Sequence, residues 1–274
     1  MKRYRVFGVD FDSRPYILSM EIKDEWEETV KEGHRHNKEQ QRQALLEEFG
    51  EYYAEQKKQN FIDLGSKPFS IIAFHNKFLE QVRNAFVVGS YYPALTGACA
   101  LGERILNHLV LLLRDDFRNT PEYKRIHNKS SFDDWNKAIE ILESWGVLLP
   151  EAATAYRHLR DIRNQTIHFK PEVDHNERQL ALGAIHTLNT VINKQFGALG
   201  RQPWFIPDIL GASFIKKEAE QWPFVKKVYL PNSYLVGPQY RMEFDAGRWL
   251  IHDVEYENRE ISDDEFRELL KVQH

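Results

Sequence analysis

Cysteine is almost absent, because the 274-residue chain contains only Cys99. A single thiol cannot close a disulfide within the chain, and it cannot supply the cysteine pairs of structural zinc sites. Disulfide-framed scaffolds and cysteine-based zinc domains are therefore excluded. So low a cysteine content is typical of a reducing compartment, and we expect a cytoplasmic protein.

An excess of charge of either sign is also lacking. Lys and Arg number 37 against 41 Asp and Glu, which leaves a formal net charge of −4. No global field draws such a chain to nucleic acid or to an anionic membrane. Residues 66–200 hold 16 basic and 14 acidic residues, a net of +2, so any contact with RNA must be local and would need a groove built by two copies.

Long apolar runs are missing as well. The longest uncharged stretch, residues 84–102, includes Pro93, three glycines and several hydroxyl-bearing side chains, which is typical of a turn followed by a buried helix. The first residues are basic, but Asp10 and Asp12 follow before an apolar signal segment can form. We therefore expect neither a membrane partner nor a signal peptide.

Helical periodicity dominates what is present. Between residues 66 and 200, apolar residues recur at helical spacing in segments joined by Gly, Pro and Ser turns. This pattern predicts a mainly α protein, α+β overall, with an antiparallel helical bundle in this region. The five predicted helices cover about residues 70–88, 95–113, 132–146, 150–169 and 175–196.

The two flanks differ from the bundle. Residues 1–65 predict an N-terminal strand over 3–9 and two polar surface helices between residues 21 and 60, separated near Gly33. Residues 201–274 are richer in aromatic and β-branched side chains, and they end in a short helix. The strand candidates there are 225–236, 239–244 and 248–256, the last two joined by a turn at residues 245–247, and Ser262 and Glu265 fit a capping box for the last helix. We expect the N-terminal strand and the C-terminal hairpin to share one small sheet that flanks the bundle.

One helix concentrates chemistry-bearing side chains. Three arginines and two histidines lie within residues 157–168. At about 100° per residue, Arg163 falls at the edge of the apolar face, where a guanidinium needs a partner, whereas Asn164 and His168 share the opposite face. Arg163 and His168 are about 140° apart, so the two side chains cannot meet as helix neighbours. Either the helix distorts before Pro171 or a second copy of the chain completes the site.

The segment 163–168 resembles the Arg-Asn-x-x-x-His signature of HEPN-domain proteins, a helical superfamily that contains many metal-independent RNases. The small-residue helix that carries Glu103, residues 92–106, is similar to the Glu-bearing helix of that superfamily. The resemblance covers about residues 66–200. It implies a homodimer in which the two signature helices face each other across a two-fold axis and form a composite cleft.

The resemblance also implies the chemistry and the residues. We expect a metal-independent endoribonuclease without a cofactor, of a defence or stress-response type, with RNA as substrate and a regulatory protein as a further partner. His168 would transfer protons, and Arg163 would hold the scissile phosphate. Asn164 would orient the imidazole or a phosphate oxygen. The expected site residues are catalytic Arg163, Asn164 and His168, substrate-binding Arg157, Arg160 and Lys170, and supporting Glu103 and Asp161.

Other interpretations stay open. Arg163 bridging to Glu103 inside the bundle, with His168 capping its helix, would describe a non-catalytic HEPN-like module for dimerisation or for a protein, nucleotide or RNA partner. Asp10 and Asp12 superficially suggest a magnesium site, although no further acidic motif supports it. The remaining candidates are the histidines His34 and His36 and the lysine pairs near Trp222, which are Lys216, Lys217, Lys226 and Lys227.

Overall fold

The computed structural model describes residues 1–132, 134–166, 176–257 and 259–271. These residues form a mainly α, α+β fold, as the periodicity predicts. The helices are α1 Arg14–Ser19, α2 Glu28–Phe49, α3 Ala54–Asp63, α4 Asn76–Val87, α5 Tyr91–Leu113, α6 Pro121–Ile126, α7 Trp135–Ser144, α8 Pro150–Thr166, α9 Glu177–Phe196 and α10 Asp263–Lys271. The strands are β1 Arg3–Val6, β2 Val9–Asp12, β3 Lys67–Ile71, β4 Ser233–Val236, β5 Arg241–Asp245 and β6 Arg248–His252.

Helix α5 is the centre of the helical bundle and packs against α4, α7, α8 and α9. Its sequence is apolar on nearly every face, which is what a helix surrounded by other helices requires. Neither α5 nor any other helix in the described ranges is long and apolar enough to cross a membrane.

Among the described residues, the bundle helices agree with the sequence periodicity except at the start of α4 and at α6, which the pattern does not predict. The predicted helix ends at residues 167–169 and 175 lie outside the described residues. Residues 67–71, which the pattern partly assigns to α4, instead form β3, and the helix begins at Asn76. β3 pairs antiparallel with β2, with Val9 opposite Ile71 and Asp10 opposite Ser70. The Asn76 side-chain oxygen accepts a hydrogen bond of 2.7 Å from the backbone N–H of Ala73 and so fixes the turn into α4.

The prediction that the N-terminal strand and the C-terminal hairpin share one sheet is wrong. The N-terminal strand β1 pairs antiparallel with β4, with Arg3 opposite Val236, whereas β5 and β6 form a separate hairpin. The described residues thus contain three two-stranded sheets instead of one shared sheet. Ala246 and Gly247 both have positive φ, at 46° and 80°, as a tight two-residue hairpin turn requires, so β5 pairs with β6 directly.

The strand expected over residues 225–236 is also wrong for most of its length. Residues 225–229 form a π-helical turn and residues 230–232 a 3-10 turn, so that only 233–236 are extended. Val225, Val228 and Tyr229 are buried together. These positions are three and four apart, the spacing of a helix face, whereas a strand would bury alternate residues.

The polar N-terminal segment forms two helices, but they are not separated at Gly33. α2 runs through Gly33, where an added Cβ atom would meet no neighbour within 4 Å, and it ends at Gly50 with a φ of 75°. One turn therefore lies between α2 and α3, at a glycine that adopts the left-handed conformation easily.

Gly102 permits a close contact between helices of the bundle. A Cβ atom at this position of α5 would lie 2.5 Å from Leu159 Cδ2 of α8 and 2.9 Å from Trp135 Cη2 of α7. A Cβ atom added at Gly183, in α9, would have no neighbour within 4 Å. The two glycines share a helical setting and differ in packing.

We therefore expect opposite effects from one substitution. Gly102→Ala should lower the free energy of unfolding by about 1–3 kcal/mol, because the new methyl group overlaps buried side chains. Gly183→Ala should raise it by about 0.5–1 kcal/mol, because alanine favours the helix and meets no obstacle. Urea unfolding followed by circular dichroism measures both values, and equal stability of the two variants would contradict the tight contact.

Candidate functional site

Helix α8 carries most of the site residues that the sequence singles out. It begins at Pro150, whose fixed φ and missing N–H suit the first position of a helix. Small alanines and the larger Tyr156 and Leu159 form its buried face. This face packs on α5, α7 and α9, which places the C-terminal turns of α8 beside the middle of α5.

The Arg163 guanidinium lies against Glu103 of α5. Its Nη2 is 3.5 Å from Glu103 Oε2, and both side chains are about one-third exposed, at 32% and 30%. The same carboxylate oxygen accepts a hydrogen bond of 3.0 Å from Trp135 Nε1 of α7. Three helices thus hold one carboxylate, and that carboxylate orients the arginine. The expected need of Arg163 for a partner is met in this way.

The Arg163 contact is an ion pair of modest strength. Charge-assisted N–H···O hydrogen bonds are usually about 2.7–2.9 Å long, and the observed separation is longer. Within the described ranges, the Arg163 guanidinium donates no hydrogen bond. Among the described residues, the guanidinium is therefore positioned by charge, and none of them accepts a hydrogen bond from it.

Other polar residues of α8 lie on its outer surface. Asn164 is exposed. Arg157 Nη2 is 2.5 Å from Glu143 Oε2, and Arg160 Nη2 is 2.6 Å from Asp161 Oδ1. Each of the three arginines of this helix thus has a carboxylate beside it, so the face carries little net positive charge. Two of the expected residues, His168 and Lys170, lie outside the described residues.

Cys99 lies one turn before Glu103 on the buried side of α5. Its side chain is fully buried, and burial raises the pKa of the thiol to about 12, while the nearby Arg163 charge opposes that shift. A buried thiol that stays protonated at neutral pH is a poor nucleophile and a poor metal ligand. Cys99 is therefore a packing residue of the helix that presents Glu103.

The alternative magnesium carboxylates are already engaged by cations and an amide. Asp10 Oδ2 is 2.7 Å from Lys67 Nζ and accepts a hydrogen bond of 2.7 Å from Asn76 Nδ2. Asp12 forms an ion pair of 2.8 Å with Arg14. The hydrogen bonds from these partners lower the pKa of both carboxyl groups against the opposing effect of burial. Both carboxylates connect β2 to neighbouring elements.

Three of the other basic and histidine candidates have structural partners. Lys217 pairs with Glu220 at 3.0 Å, and Lys227 pairs with Asp116 at 2.5 Å. The His34 ring lies 4.9 Å from the ring of Trp26. These contacts fit solvated, ion-paired surfaces.

Sequence reasoning missed the role of Trp135. Its apolar spacing identified it only as a core residue of the third bundle helix, yet its indole N–H fixes the carboxylate that faces Arg163. A buried tryptophan usually needs an acceptor for this donor. This requirement, together with the lone carboxylate on the very apolar helix α5, could have predicted a hydrogen bond from Trp135 to Glu103.

We expect Cys99 to report on the packing beneath the site. Ellman's reagent at pH 8 should leave the native protein unmodified and should titrate one thiol per chain in guanidinium chloride, because burial keeps the thiol protonated and out of reach. Arg163→Ala should keep this protection, since removing a neighbouring cation does not favour the thiolate. Rapid modification of the native wild-type protein would contradict the packing of α5 described above.

Comparison of the chain with protein-family models, with curated proteins and with solved structures finds no match. The resemblance to HEPN-domain proteins thus depends on the motif at residues 163–168, on the Glu103-bearing helix and on helix order. Function has to be inferred from the contacts of α8 and from the chemistry of its side chains.

Proposed function

We propose that this protein is a metal-independent endoribonuclease of the HEPN type that acts as a homodimer, with α8 of each copy lining a shared cleft. The observation that supports this proposal is the state of Arg163. Its guanidinium is oriented by Glu103, is one-third exposed and makes no hydrogen bond in the described part of the chain. A cation with fixed position and available donors is suited to bind a phosphodiester.

The proposed reaction divides among three side chains of the motif. The ribose 2′-oxygen loses its proton and attacks the adjacent phosphorus, and the bond to the 5′-oxygen breaks as that oxygen gains a proton. His168 transfers these protons, because imidazole titrates near neutral pH. Arg163 binds the phosphate oxygens, on which negative charge grows, and Asn164 orients the phosphate or the imidazole.

Two copies are needed because of the helix geometry. Arg163 and His168 are five residues apart and therefore about 140° apart around an ideal helix. A two-fold axis beside α8 would bring Arg163 of one copy towards His168 of the other. The exposed position of Asn164 supports this arrangement, because this face of α8 is free of covering elements among the described residues.

A second candidate function is a non-catalytic interaction module of the same family. The observation that favours it is charge compensation on α8, where Arg157, Arg160 and Arg163 each lie beside a carboxylate. Such a face has little attraction for a polyanion, whereas it suits a second copy or a regulatory protein. Measurement of RNA cleavage distinguishes the two functions.

The catalytic proposal predicts cleavage of mixed RNA in the presence of EDTA. His168→Ala should reduce the rate by about 10²–10⁴-fold, because it removes proton transfer. Arg163→Ala should reduce it by about 10²–10³-fold, because it removes stabilisation of the phosphate charge. Gel electrophoresis of end-labelled RNA measures the rates.

Arg35→Ala is the matched control for that assay. Arg35 is an exposed arginine of α2 whose guanidinium pairs with Glu28, and it lies outside the proposed cleft. Its removal should leave the rate unchanged. Equal rates in the wild type, His168→Ala and Arg163→Ala would assign the cleavage to a contaminant, and the absence of cleavage by the wild-type dimer would favour the interaction module.

The shared cleft also predicts the response of the dimer to a charge on α8. Sedimentation equilibrium should give twice the chain mass of 32.4 kDa at micromolar concentration. Asn164→Arg places two like charges near the two-fold axis and should weaken the dimer at least about tenfold. Asn37→Arg, on the exposed surface of α2, should leave it unchanged. A wild-type monomer at these concentrations would overturn the composite cleft.

A further inference from the structure

Strand β1 carries two arginines that lie on one face but differ in their partners. Arg3 is fully buried, and all of its guanidinium nitrogens donate hydrogen bonds. Nε donates to Asp263 Oδ1 at 2.6 Å, Nη1 to the carbonyl of Lys2 at 3.0 Å, and Nη2 to the carbonyl of Ile261 at 2.5 Å. A buried cation with a carboxylate and two carbonyls is a completed structural element.

Arg5, two residues later, has no such set of acceptors. Among the residues that the structure describes, its enclosed Nε has no hydrogen-bond partner, and its Nη1 lies against the thioether sulfur of Met242. No carboxylate of the described residues lies within ion-pair distance of this guanidinium. Burial lowers the pKa of Arg5, which reflects the cost of a charge without an anion.

Aromatic rings hold the Arg5 guanidinium in place. Its Cζ lies 5.0 Å from the centre of the Tyr240 ring and 5.7 Å from that of Phe7. These cation–π contacts fix the orientation of the group but supply no hydrogen-bond acceptor. The cation is therefore preorganised, and no described residue supplies its counter-ion.

A large cavity opens beside this arginine. It has a volume of about 960 Å³, in the range of small-molecule sites, and lies between the loop at residues 208–212, β5 and α10. Its apolar wall includes Ile209, Phe214 and Leu270. A neighbouring cavity of about 550 Å³ shares Arg5 and Met242 with it, so Arg5 lies at the boundary between two apolar spaces.

The charges around the larger cavity are mostly positive. Besides Arg5, its wall contains Arg241, Arg267 and Lys271, and Asp208 is its one carboxylate in the described part of the chain. Arg267 and Lys271 pair with Asp264 and Glu268 of their own helix. Neither Arg5 nor Arg241 has a carboxylate within ion-pair distance among the described residues, which favours an anion inside the cavity.

We propose that this cavity is a binding site for a small organic anion, a molecule with one carboxylate, phosphate or sulfonate group on an apolar body. The anionic group would accept hydrogen bonds from the Arg5 guanidinium, and the body would pack against Ile209, Phe214 and Leu270. No residue of the cavity wall belongs to α8, so the proposal is independent of RNA cleavage.

Two fluorescent probes that differ only in charge test this site. Anilinonaphthalene sulfonate carries a sulfonate on an apolar ring system, and phenylnaphthylamine has the same rings without it. The wild-type protein should bind one molecule of the anionic probe per chain. Arg5→Met should weaken that binding at least about tenfold, because a hydrogen-bonded charge pair is lost, and should leave affinity for the neutral probe unchanged.

Arg118→Met is the control for non-specific attraction by surface arginines, because Arg118 is 65% exposed and lies outside this cavity. Its affinity for both probes should equal that of the wild type. If Arg5→Met fails to fold, Ala212→Trp decides, since Ala212 lines both cavities and the indole would occupy part of the space beside Arg5 and weaken the binding of both probes. Equal binding of the anionic probe by the wild type and Arg5→Met, or its undiminished binding by Ala212→Trp, would overturn the proposal.

Discussion

The close approach of α5 and α8 at Gly102 is the constraint on which the candidate site depends. Because Gly102 has no side chain, Leu159 of α8 and Trp135 of α7 occupy the space above the α5 backbone. Glu103 is the next residue of α5, and Arg163 lies one turn beyond Leu159. The contact that allows dense packing therefore also sets the carboxylate opposite the guanidinium, and the same tryptophan that fills the space donates to that carboxylate. The packing of Leu159 and Trp135 on Gly102 and the ion pair between Arg163 and Glu103 therefore both depend on how closely α5 and α8 approach.

The strength of the Arg163–Glu103 pair determines how easily a phosphate could replace Glu103 beside Arg163. A pair that is one-third exposed and 3.5 Å apart contributes at most about 1 kcal/mol. A phosphate that accepts two hydrogen bonds from the guanidinium would therefore break an ion pair that contributes little stability. Glu103 would remain held by Trp135 when Arg163 turns to a phosphate, so the carboxylate would not lose all of its partners. The carboxylates beside the arginines weaken the long-range attraction of α8 for RNA. Because the Arg163–Glu103 pair is itself weak, a phosphate in contact with Arg163 could still replace the carboxylate.

Much of the bundle follows from sequence periodicity, and most of the flanking structure does not. The predicted helices correspond closely to α5, α7, α8 and α9 because a buried helical face repeats every three to four residues within one segment. β3 and β4 are four or five residues long and are set by partners more than fifty residues away, information that a local pattern does not contain. At the site, the contact between Arg163 and Glu103 follows from the need of a core-edge guanidinium for an anion. The hydrogen bond from Trp135 does not, because it depends on how three helices cross.

Three arginines show three ways of keeping a guanidinium beside apolar side chains. Arg3 is fully buried and fully hydrogen-bonded, and Arg163 is half-buried and held by a weak ion pair. Arg5 is held by aromatic rings and has no carboxylate beside it in the described ranges. An unpaired cation that is partly desolvated lowers the stability of the folded state, and an anion that binds only the folded protein recovers part of that loss. The free energy of unfolding and the occupancy of the cavity beside Arg5 are then coupled, because any ligand that neutralises this charge stabilises the β1–β4 sheet and α10 around it. For Arg163 the coupling is weaker, since Glu103 already supplies the counter-charge. The region around β1 thus gains more from an anion than the surface of α8 does, although only α8 carries the motif that suggests RNA chemistry.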